Sequence, residues 1–279
     1  MKIDFHTHLT RHTQEGLYTD DASPEYLVSV MSRYSIEKAV VMATFFPHQN
    51  RGSGNMKMLD LISESDRFLM FGGLDVERSM DAGIQELRSI KDSISGIKLY
   101  PGYQDFYPHE EKMSLVYRLA SELGIPVAFH SGETTGEGDF PESWDIDEDN
   151  PGQYLHYQTH PSHIGEVAKR FPSLDLVICH YGQPFTKSAR DVLNKHPHIY
   201  TDVSGLWKTG KDDTEKEIRV TRKALKILAH ECDPSQVLFA SDFPIQSIED
   251  SIEHIESMGY STEDKNKVYY ENAKRLLRL

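Results

Sequence analysis

The sequence of 279 residues contains only two cysteines, Cys179 and Cys232. Two cysteines are too few for the disulfide framework of a secreted domain or for a zinc site built from thiolates. Cys179 also lies within an apolar run that predicts a buried strand. We therefore expect both side chains to be reduced thiols, so that a metal site would have to use other residue types.

Positive charge and long hydrophobic segments are scarce as well. The 30 Lys and Arg against 44 Asp and Glu give a formal net charge of −14, which disfavours nucleic acid and anionic membrane surfaces as partners. No apolar run approaches the roughly 20 residues of a transmembrane helix, and the segment Met1–His6 lacks the apolar stretch of a signal peptide. The expected protein is cytoplasmic and acts on a small molecule.

What the sequence does contain is a regular series of short apolar, β-branched runs. Eight such runs alternate with plausible helices, which predicts a parallel sheet covered on both faces. Eight units predict a closed (β/α)8 TIM barrel, in a single domain over residues 1–279. The predicted strands are Lys2–His8, Lys38–Thr44, Phe68–Asp75, Ser95–Pro101, Pro126–Gly132, Asp175–Gly182, Ile199–Leu206 and Val237–Pro244.

The predicted helices fill the gaps between these strands. They are Pro24–Tyr34, Asn55–Ser65, Met80–Ser89, Glu110–Leu123, Ser162–Arg170, Lys187–Lys195, Thr214–His230 and Ser247–Ser257. No Gly-x-Gly-x-x-Gly follows any strand, so the main rival fold, an open sheet that binds a dinucleotide, has no support. The connection Glu133–Asp149 holds eight acidic residues and no Lys or Arg, which predicts a long acidic loop after the fifth strand.

Two histidines stand at the end of the first strand, in the motif His6-Thr7-His8. Residues two apart on a strand face the same side, so both imidazoles can bind one metal ion. A second pair, His196 and His198, precedes the seventh strand and therefore lies at the opposite end of the barrel. Because active sites of such barrels lie at the carboxyl ends of the strands, the second pair is interpreted as surface.

Other ionisable residues end strands on the same side as His6 and His8. His130 ends the fifth strand, His180 the sixth and Asp242 the eighth. Imidazole and carboxylate ligands predict one divalent ion, most readily Zn²⁺, with Mn²⁺ or Fe²⁺ as alternatives. In this interpretation His6, His8, His130 and Asp242 are the ligands. Asp242 also shuttles a proton during the reaction, and His180 is the catalytic base or electrophile.

A series of motifs covers nearly the whole chain. The motifs are Asp4–His8, Gly96–Pro101, Pro126–Gly132, His160-Pro161 with Phe171–Leu174, Val177–Gly182, Ala240–Pro244 and Tyr269–Leu277. Their order resembles the amidohydrolase-related branch of the metal-dependent amidohydrolase superfamily. The resemblance implies a TIM barrel, the same metal ligands and catalytic His180. The branch includes hydrolases, lactonases and decarboxylases such as aminocarboxymuconate semialdehyde decarboxylase, and some lactonase relatives work without metal.

Several further residues are candidates for substrate binding. Lys98 has the strand parity to point into the barrel, where it could meet a substrate carboxylate or a core acid; a carboxylated lysine that bridges two metals is less favoured. Arg11 and Arg51 follow the first and second strands, where they could bind an anion. Tyr100 and His160 lie near the same end, where packing or helix capping would explain them equally well.

These residues predict a metal-dependent hydrolase that cleaves an amide, ester or lactone with activated water. The alternative is a metal-dependent decarboxylase of a small carboxylated substrate, aromatic or not, which a basic residue beside the metal, such as Arg11, Lys98 or Arg51, would favour. A phosphoesterase is disfavoured because Glu is absent from the ends of the third and fourth strands. A barrel that binds a metabolite without catalysing a reaction remains an alternative. Because the surfaces of such barrels often pair, we expect a homodimer.

Overall fold

Eight parallel strands form the centre of the molecule, as a computed structural model shows. The structure describes residues 1–13, 17–46, 51–134, 145–147, 150–206 and 214–279, and within these ranges the side chains of residues 45, 46 and 51 are not described. The barrel strands are β1 (Lys2–Thr7), β2 (Ile36–Met42), β3 (Phe68–Gly72), β4 (Gly96–Leu99), β5 (Val127–Phe129), β6 (Leu176–Ile178), β7 (Ile199–Asp202) and β8 (Val237–Leu238).

The strands are hydrogen-bonded in chain order from β1 to β8, and every neighbouring pair is parallel. The segment after β8 closes the barrel against β1. Phe5 N–H donates to the carbonyl of Phe239 at 2.9 Å, and Thr7 forms a parallel bridge with Phe243. The predicted TIM barrel is therefore confirmed.

Seven of the helices described here lie outside the barrel between successive strands, and the last three follow β8. Ser23 caps the first helix and Pro24 occupies its first turn, a position where proline's missing N–H costs nothing. The helices are α1 (Pro24–Arg33), α2 (Asn55–Ile62), α3 (Met80–Ser89), α4 (Ser114–Leu123), α5 (Ser162–Arg170), α6 (Thr186–Lys195), α7 (Glu215–Glu231), α8 (Ile248–Ser257), α9 (Thr262–Asn266) and α10 (Asn272–Leu277).

The predicted helices differ from the observed ones by a few residues at most, except at Glu110–Leu123, where a short 3-10 turn precedes α4. The predicted strands run too far at their carboxyl ends. Asp175–Gly182, for example, ends as a strand at Ile178 because the next residues turn sharply, with Tyr181 at φ 48°. The polar ends of these runs are loops, and these loops carry the site.

Two buried layers hold the barrel together. One lies between strands and helices, and the other fills the barrel interior with side chains such as Phe5, Val40 and Phe71. Leu276 and Leu277 of α10 pack into the interior layer and cover the end where the strands begin. The opposite end, where the strands finish, is left for polar side chains.

The described ranges limit what can be said about two expectations, the acidic loop and the lack of a transmembrane helix. The acidic loop over 133–149 lies mostly outside them, since residues 135–144 and 148–149 are not described. Within the described ranges, no helix has the length and hydrophobicity of a transmembrane segment.

Candidate metal centre

Three of the predicted ligands form a cluster at the carboxyl end of the barrel. The Nε2 atoms of His6 and His8 lie 3.5 and 3.4 Å from Oδ1 of Asp242. Ligand atoms of the three residues all lie within 4.8 Å of one another. His6 and Asp242 are buried, whereas His8 is about one-fifth exposed, at 22%. The cluster is thus enclosed on most sides and open at His8.

The closing contact between β1 and the end of β8 positions this cluster. Asp242 N–H donates to the carbonyl of His6 at 2.9 Å, and Asp242 has a left-handed backbone with φ 59°. Buried Asp4 accepts from the backbone N–H and hydroxyl of Ser241 at 2.9 and 2.6 Å. Burial raises the pKa of Asp4 to about 7, against the lowering effect of these hydrogen bonds. Asp4 therefore fixes the carboxyl end of β8 against β1.

His6 and His180 are joined by a chain of hydrogen bonds through Asp202 and Ser204. Oδ2 of Asp202 lies 3.1 Å from Nδ1 of His6, and the Ser204 hydroxyl donates to Oδ1 of Asp202 at 2.5 Å. The same hydroxyl oxygen lies 2.9 Å from Nδ1 of His180 and 3.1 Å from Nδ1 of His6. Because that hydroxyl proton goes to Asp202, its oxygen accepts from the histidines, and each Nδ1 carries a proton.

This chain sets the tautomer of both histidines. With Nδ1 protonated on neutral His6 and His180, each Nε2 keeps its lone pair, for a metal ion or for a proton. Burial lowers the pKa of both imidazoles well below the ordinary value, with the charge of Lys98 acting in the same direction. Both rings are therefore neutral at physiological pH.

His180 has an unusual backbone that aims its ring at this chain. Its φ is 60°, and its N–H donates to Oδ1 of Asp202 at 2.8 Å. A Cβ added at Gly205 would lie only 2.5 Å from Nδ1 of His180, so a side chain there would displace the ring. Glycine at 205 and the bond to Asp202 together hold His180 with its ring centroid 4.9 Å from that of His6.

His8 is held by a second, shorter chain. The Thr44 hydroxyl lies 3.3 Å from Nδ1 of His8 and 3.1 Å from the hydroxyl of Tyr100. Burial raises the pKa of Tyr100, so its hydroxyl is protonated. Tyr100 thus contributes to orienting His8 through Thr44, and it lies at the site as expected.

His130 lies beside the cluster rather than within it. Its ring centroid is 4.9 Å from that of His180, and its Nε2 lies 2.9 Å from the backbone carbonyl of Glu133. Because a carbonyl only accepts, Nε2 carries the proton in this arrangement. Burial lowers the pKa of His130 to about 3. Its role as a fourth ligand stays a prediction.

The residues of the cluster fit a divalent metal ion. Oδ1 of Asp242 is buried and has no hydrogen-bond partner within the described part of the chain. Its distances of 3.5 and 3.4 Å to Nε2 of His6 and of His8 are close to those between two ligand atoms of one metal ion. A buried carboxylate oxygen without a partner is costly. Imidazoles backed by a carboxylate, as His6 is by Asp202, are typical of metal ligands. A second group of ligand atoms, in His6, His180 and Asp202, is already joined through hydrogen bonds.

Lys98 lies inside the barrel and is 1% exposed. Its ammonium donates to the thiol of Cys179 at 2.8 Å and lies 5.2 Å from the ring centroid of Tyr100. Burial raises the pKa of the Cys179 thiol, so the partner is neutral. Among the described residues no carboxylate forms an ion pair with Lys98, which leaves a cation beside the cluster.

The remaining predicted substrate residues are not gathered at the cluster. Arg11 is exposed and forms ion pairs with Glu25 and Glu64, at 2.8 and 3.3 Å. The side chain of Arg51 lies outside the described part of the chain. His160 is buried, and its Nδ1 accepts from the N–H of Ser162 at 3.3 Å.

Sequence reasoning missed three residues of the site: Thr44, Asp202 and Ser204. Asp202 ends β7 at the same side as the other site residues, so the rule that selected His130, His180 and Asp242 would have selected it too. Thr44 and Ser204 follow strand ends, but their hydroxyls gave no signal of their own.

A TIM barrel with buried histidines and an aspartate at the carboxyl ends of its strands is the architecture of a metal-dependent enzyme. The chain belongs to the amidohydrolase family, whose family model matches residues 3–279. This confirms the resemblance expected from the motifs, and the family is one of enzymes. No protein with a curated description matches the chain.

Several solved structures share this fold across almost the entire chain. One, described as a probable 2-pyrone-4,6-dicarboxylic acid hydrolase from Acinetobacter baumannii, is 18% identical with a TM-score of 0.69 and covers 100% of this chain and 99% of its own. An amidohydrolase from Burkholderia multivorans with bound zinc is 14% identical, with a TM-score of 0.71 and coverages of 100% and 99%. The 2,6-dihydroxybenzoate decarboxylase from Rhizobium is 15% identical, with a TM-score of 0.63 and coverages of 99% and 98%.

Proposed function

We propose that the protein is a metal-dependent hydrolase that cleaves a small-molecule amide, ester or lactone. The observation that carries the proposal is the cluster of His6, His8 and Asp242 with the lone pair of His180 Nε2 beside it. A divalent ion bound there lowers the pKa of a water molecule and polarises a carbonyl group. Family membership and the zinc-bound relative support this class of chemistry.

Each side chain of the cluster has a separate part in hydrolysis. His6 and His8 would hold the ion with their Nε2 atoms, positioned by Asp202 and by Thr44. His180 Nε2, with Nδ1–H held by Ser204, accepts a hydrogen bond from the attacking water and so orients it.

The Asp242 carboxylate completes the proton balance. Its Oδ1 lacks a hydrogen-bond partner in the described ranges, and burial raises the pKa of this carboxyl, so it can take up a proton and pass it on. Hydrolysis puts the hydroxyl of water on the acyl carbon and its proton on the leaving nitrogen or oxygen. Asp242 is placed to take that proton from water and give it to the leaving group.

Lys98 favours a second candidate function, a metal-dependent decarboxylase. A buried ammonium without a carboxylate partner among the described residues is a binding group for a substrate carboxylate. In that reaction the bond between the carboxylate and its carbon breaks and carbon dioxide leaves. A proton from Asp242 or His180 then adds to the carbon that carried the carboxylate. The likeness to the decarboxylase from Rhizobium is compatible with this alternative.

One experiment separates the two reactions. Zinc-loaded protein is incubated in ¹⁸O-labelled water with a panel of lactones, amides and carboxylated aromatics, and the products are read by mass spectrometry. Hydrolysis incorporates one ¹⁸O atom into the carboxylic acid that forms. Decarboxylation instead releases carbon dioxide and leaves a product without the label.

The Lys98→Met variant is the matched control. It should keep the turnover of uncharged lactones and lose that of carboxylated substrates. Turnover of neither substrate class by the zinc-loaded protein would contradict both functions.

Finer properties are part of the same proposal. Zinc is the favoured ion, at one per chain, because the proposed ligands are imidazole and carboxylate groups and a relative carries zinc. A small-molecule substrate, a homodimer and a cytoplasmic location, without nucleic acid or membrane partners, stay predictions.

A further inference from the structure

A second group of polar side chains lies buried without partners near the metal centre. Among the residues that the structure describes, the side-chain oxygen of Thr159, Nε2 of His160 and both amide atoms of Gln183 have no hydrogen-bond partner. Thr159 is 3% exposed, His160 1% and Gln183 4%. Buried polar atoms in folded proteins are nearly always paired, so four orphans in three residues mark an unfilled binding function.

These residues meet at one junction between the ends of β5 and β6. Gly132 N–H donates to the carbonyl of Thr159 at 3.1 Å, and Glu133 N–H donates to the carbonyl of Gln183 at 2.9 Å. A Cβ at Gly132 would lie 1.9 Å from that same carbonyl oxygen of Gln183, so only glycine allows this approach.

The junction adjoins the catalytic residues on both sides. Gln183 N–H donates to the carbonyl of His180 at 3.1 Å, and Nε2 of His130 contacts the carbonyl of Glu133. The ring of His160 packs against Phe185 with centroids 4.7 Å apart, which fixes it on the β6 side. The three residues therefore lie next to the metal centre and outside the cluster that would hold the ion.

The hydrogen-bonding character of the group follows from its contacts. Nδ1 of His160 accepts from Ser162 N–H, so the neutral ring carries its proton on Nε2 and offers one donor. The carboxamide of Gln183 offers a donor and an acceptor side by side, and Thr159 offers either. None of the three carries a charge at neutral pH, since burial lowers the pKa of His160 to about 4.

We propose that Thr159, His160 and Gln183 form a subsite for an uncharged amide of the substrate, in which Gln183 pairs with an adjacent N–H and C=O. A carboxylate would be buried there without a cation, and an ester or lactone would leave the Gln183 acceptor unpaired. The inference rests on the proposed hydrolase and narrows its substrate from an amide, ester or lactone to an amide.

Two lactams that differ by one N–H test the subsite in binding, without turnover. The affinities of 2-piperidone and N-methyl-2-piperidone for zinc-loaded protein are measured by NMR titration. The N–H lactam should bind about tenfold more tightly, and Gln183→Met should abolish that preference. Equal affinities in the unaltered protein, or no binding of either lactam, would overturn the subsite.

Gln236 provides a matched control for a buried glutamine with a structural role. Its Nε2 donates to the carbonyls of Leu193, His196 and Ile199 at 3.1, 3.0 and 2.7 Å, at the far end of the barrel. Gln236→Met should lower Tm and keep the lactam preference. Gln183→Met should leave Tm unchanged or raise it, because Gln183 makes no side-chain hydrogen bond to lose.

A drop in Tm for Gln183→Met as large as that for Gln236→Met would overturn the subsite. It would mean that the amide of Gln183 stabilises the fold through hydrogen bonds to water molecules. Lactam preference without any ¹⁸O incorporation from the substrate panel would instead contradict the proposed hydrolase while supporting the subsite. The two proposals can therefore fail separately.

Discussion

The chain carries the same motif, two histidines two residues apart, at the two ends of one barrel. The ring centroids are 5.2 Å apart in His6/His8 and 5.8 Å apart in His196/His198. Ring spacing therefore does not distinguish the candidate metal centre from the second pair. The difference lies in what each end of the barrel places around the rings.

Carboxylates and hydroxyls surround the first pair. Asp202 holds Nδ1 of His6, Thr44 contacts Nδ1 of His8, and both Nε2 atoms face Asp242. Near the second pair, burial lowers the pKa of His198, and the charge of Asp175 acts in the opposite direction. Within the described residues, no cluster of potential ligand atoms includes His196 or His198. The carboxyl ends of the strands supply a shared set of ligands that the amino ends do not.

Buried amides repeat the contrast. At the amino ends, Gln236 and Asn272 have buried side chains whose amide groups donate to backbone carbonyls. At the carboxyl ends, the amide of Gln183 is buried without a partner. Among the described residues, the buried amides of Gln236 and Asn272 at the amino ends are thus paired with backbone carbonyls, whereas the amide of Gln183 at the carboxyl ends is not.

The largest expected effect follows from removing the central carboxylate. Asp242→Asn cannot shuttle a proton, so kcat/KM should fall by at least about 100-fold on whichever substrate of the panel is turned over. Asp175→Asn removes a carboxylate near the second pair and should change kcat/KM by less than about twofold. Similar losses in both variants would erase the distinction between the two ends.

The next effect sharpens the role of Asp202. Asp202→Asn breaks the charged hydrogen bond to Nδ1 of His6, which should weaken zinc affinity by about 10- to 100-fold. Competition with a chelating dye measures it. Asp233→Asn, which alters an exposed turn at the amino end, is the control and should bind zinc as the unaltered protein does. Unchanged affinity in Asp202→Asn would remove Asp202 from the site.

The amino end is tested through Asn272. Its Nδ2 donates to the carbonyls of Pro234 and Val237 at 2.7 and 2.8 Å, and Asn272→Ala leaves both acceptors unpaired. Urea unfolding should show a loss of about 2 kcal/mol in the free energy of unfolding. Zinc content and kcat should not change below the unfolding transition, and a large loss of kcat would contradict the division between the ends.

The last effect concerns stability alone and is a pH dependence that comes from His160. Its pKa is lowered to about 4 by burial, so the unfolded chain binds more protons between pH 4 and the ordinary pKa near 6.5. The stability from neutral His160 is present above pH 6.5 and is lost as the pH falls towards 4. In His160→Gln, the slope of unfolding free energy against pH should flatten by up to about 1.4 kcal/mol per pH unit.

A control for this slope is His230→Gln, at an exposed position of α7. It should keep the slope of the unaltered protein. An unchanged slope in His160→Gln would mean that His160 is not buried neutral in solution.

Much of the barrel could be predicted because local sequence determines it. Alternating apolar runs and helices with recognisable starts, such as Ser23-Pro24, placed all eight strands and α1 to α8. The predicted strands extend too far at their carboxyl ends because an apolar pattern does not show where a residue adopts a left-handed backbone. The sixth strand, for example, ends at Ile178, and the left-handed backbone begins two residues later at His180, with φ 60°.

The site was predictable where the strand-end rule applies and not where long-range contacts decide. His6, His8 and Asp242 were grouped from their positions alone. The thiol partner of Lys98 comes from Cys179, 81 residues away, and the ion pair of Arg11 with Glu64 joins two loops 53 residues apart. No periodicity predicts such contacts, because they depend on how loops pack over the barrel.

The metal content of the purified protein tests the central claim most directly. Protein prepared without chelator or added metal is analysed by mass spectrometry, beside a His6→Asn/His8→Asn variant and a matched His196→Asn/His198→Asn variant. We predict about one equivalent of divalent metal in the unaltered protein and in the His196/His198 variant, and almost none in the His6/His8 variant. Equal metal content in the two variants, or none in the unaltered protein even after reconstitution with zinc, would contradict a metal centre at the carboxyl end of the barrel.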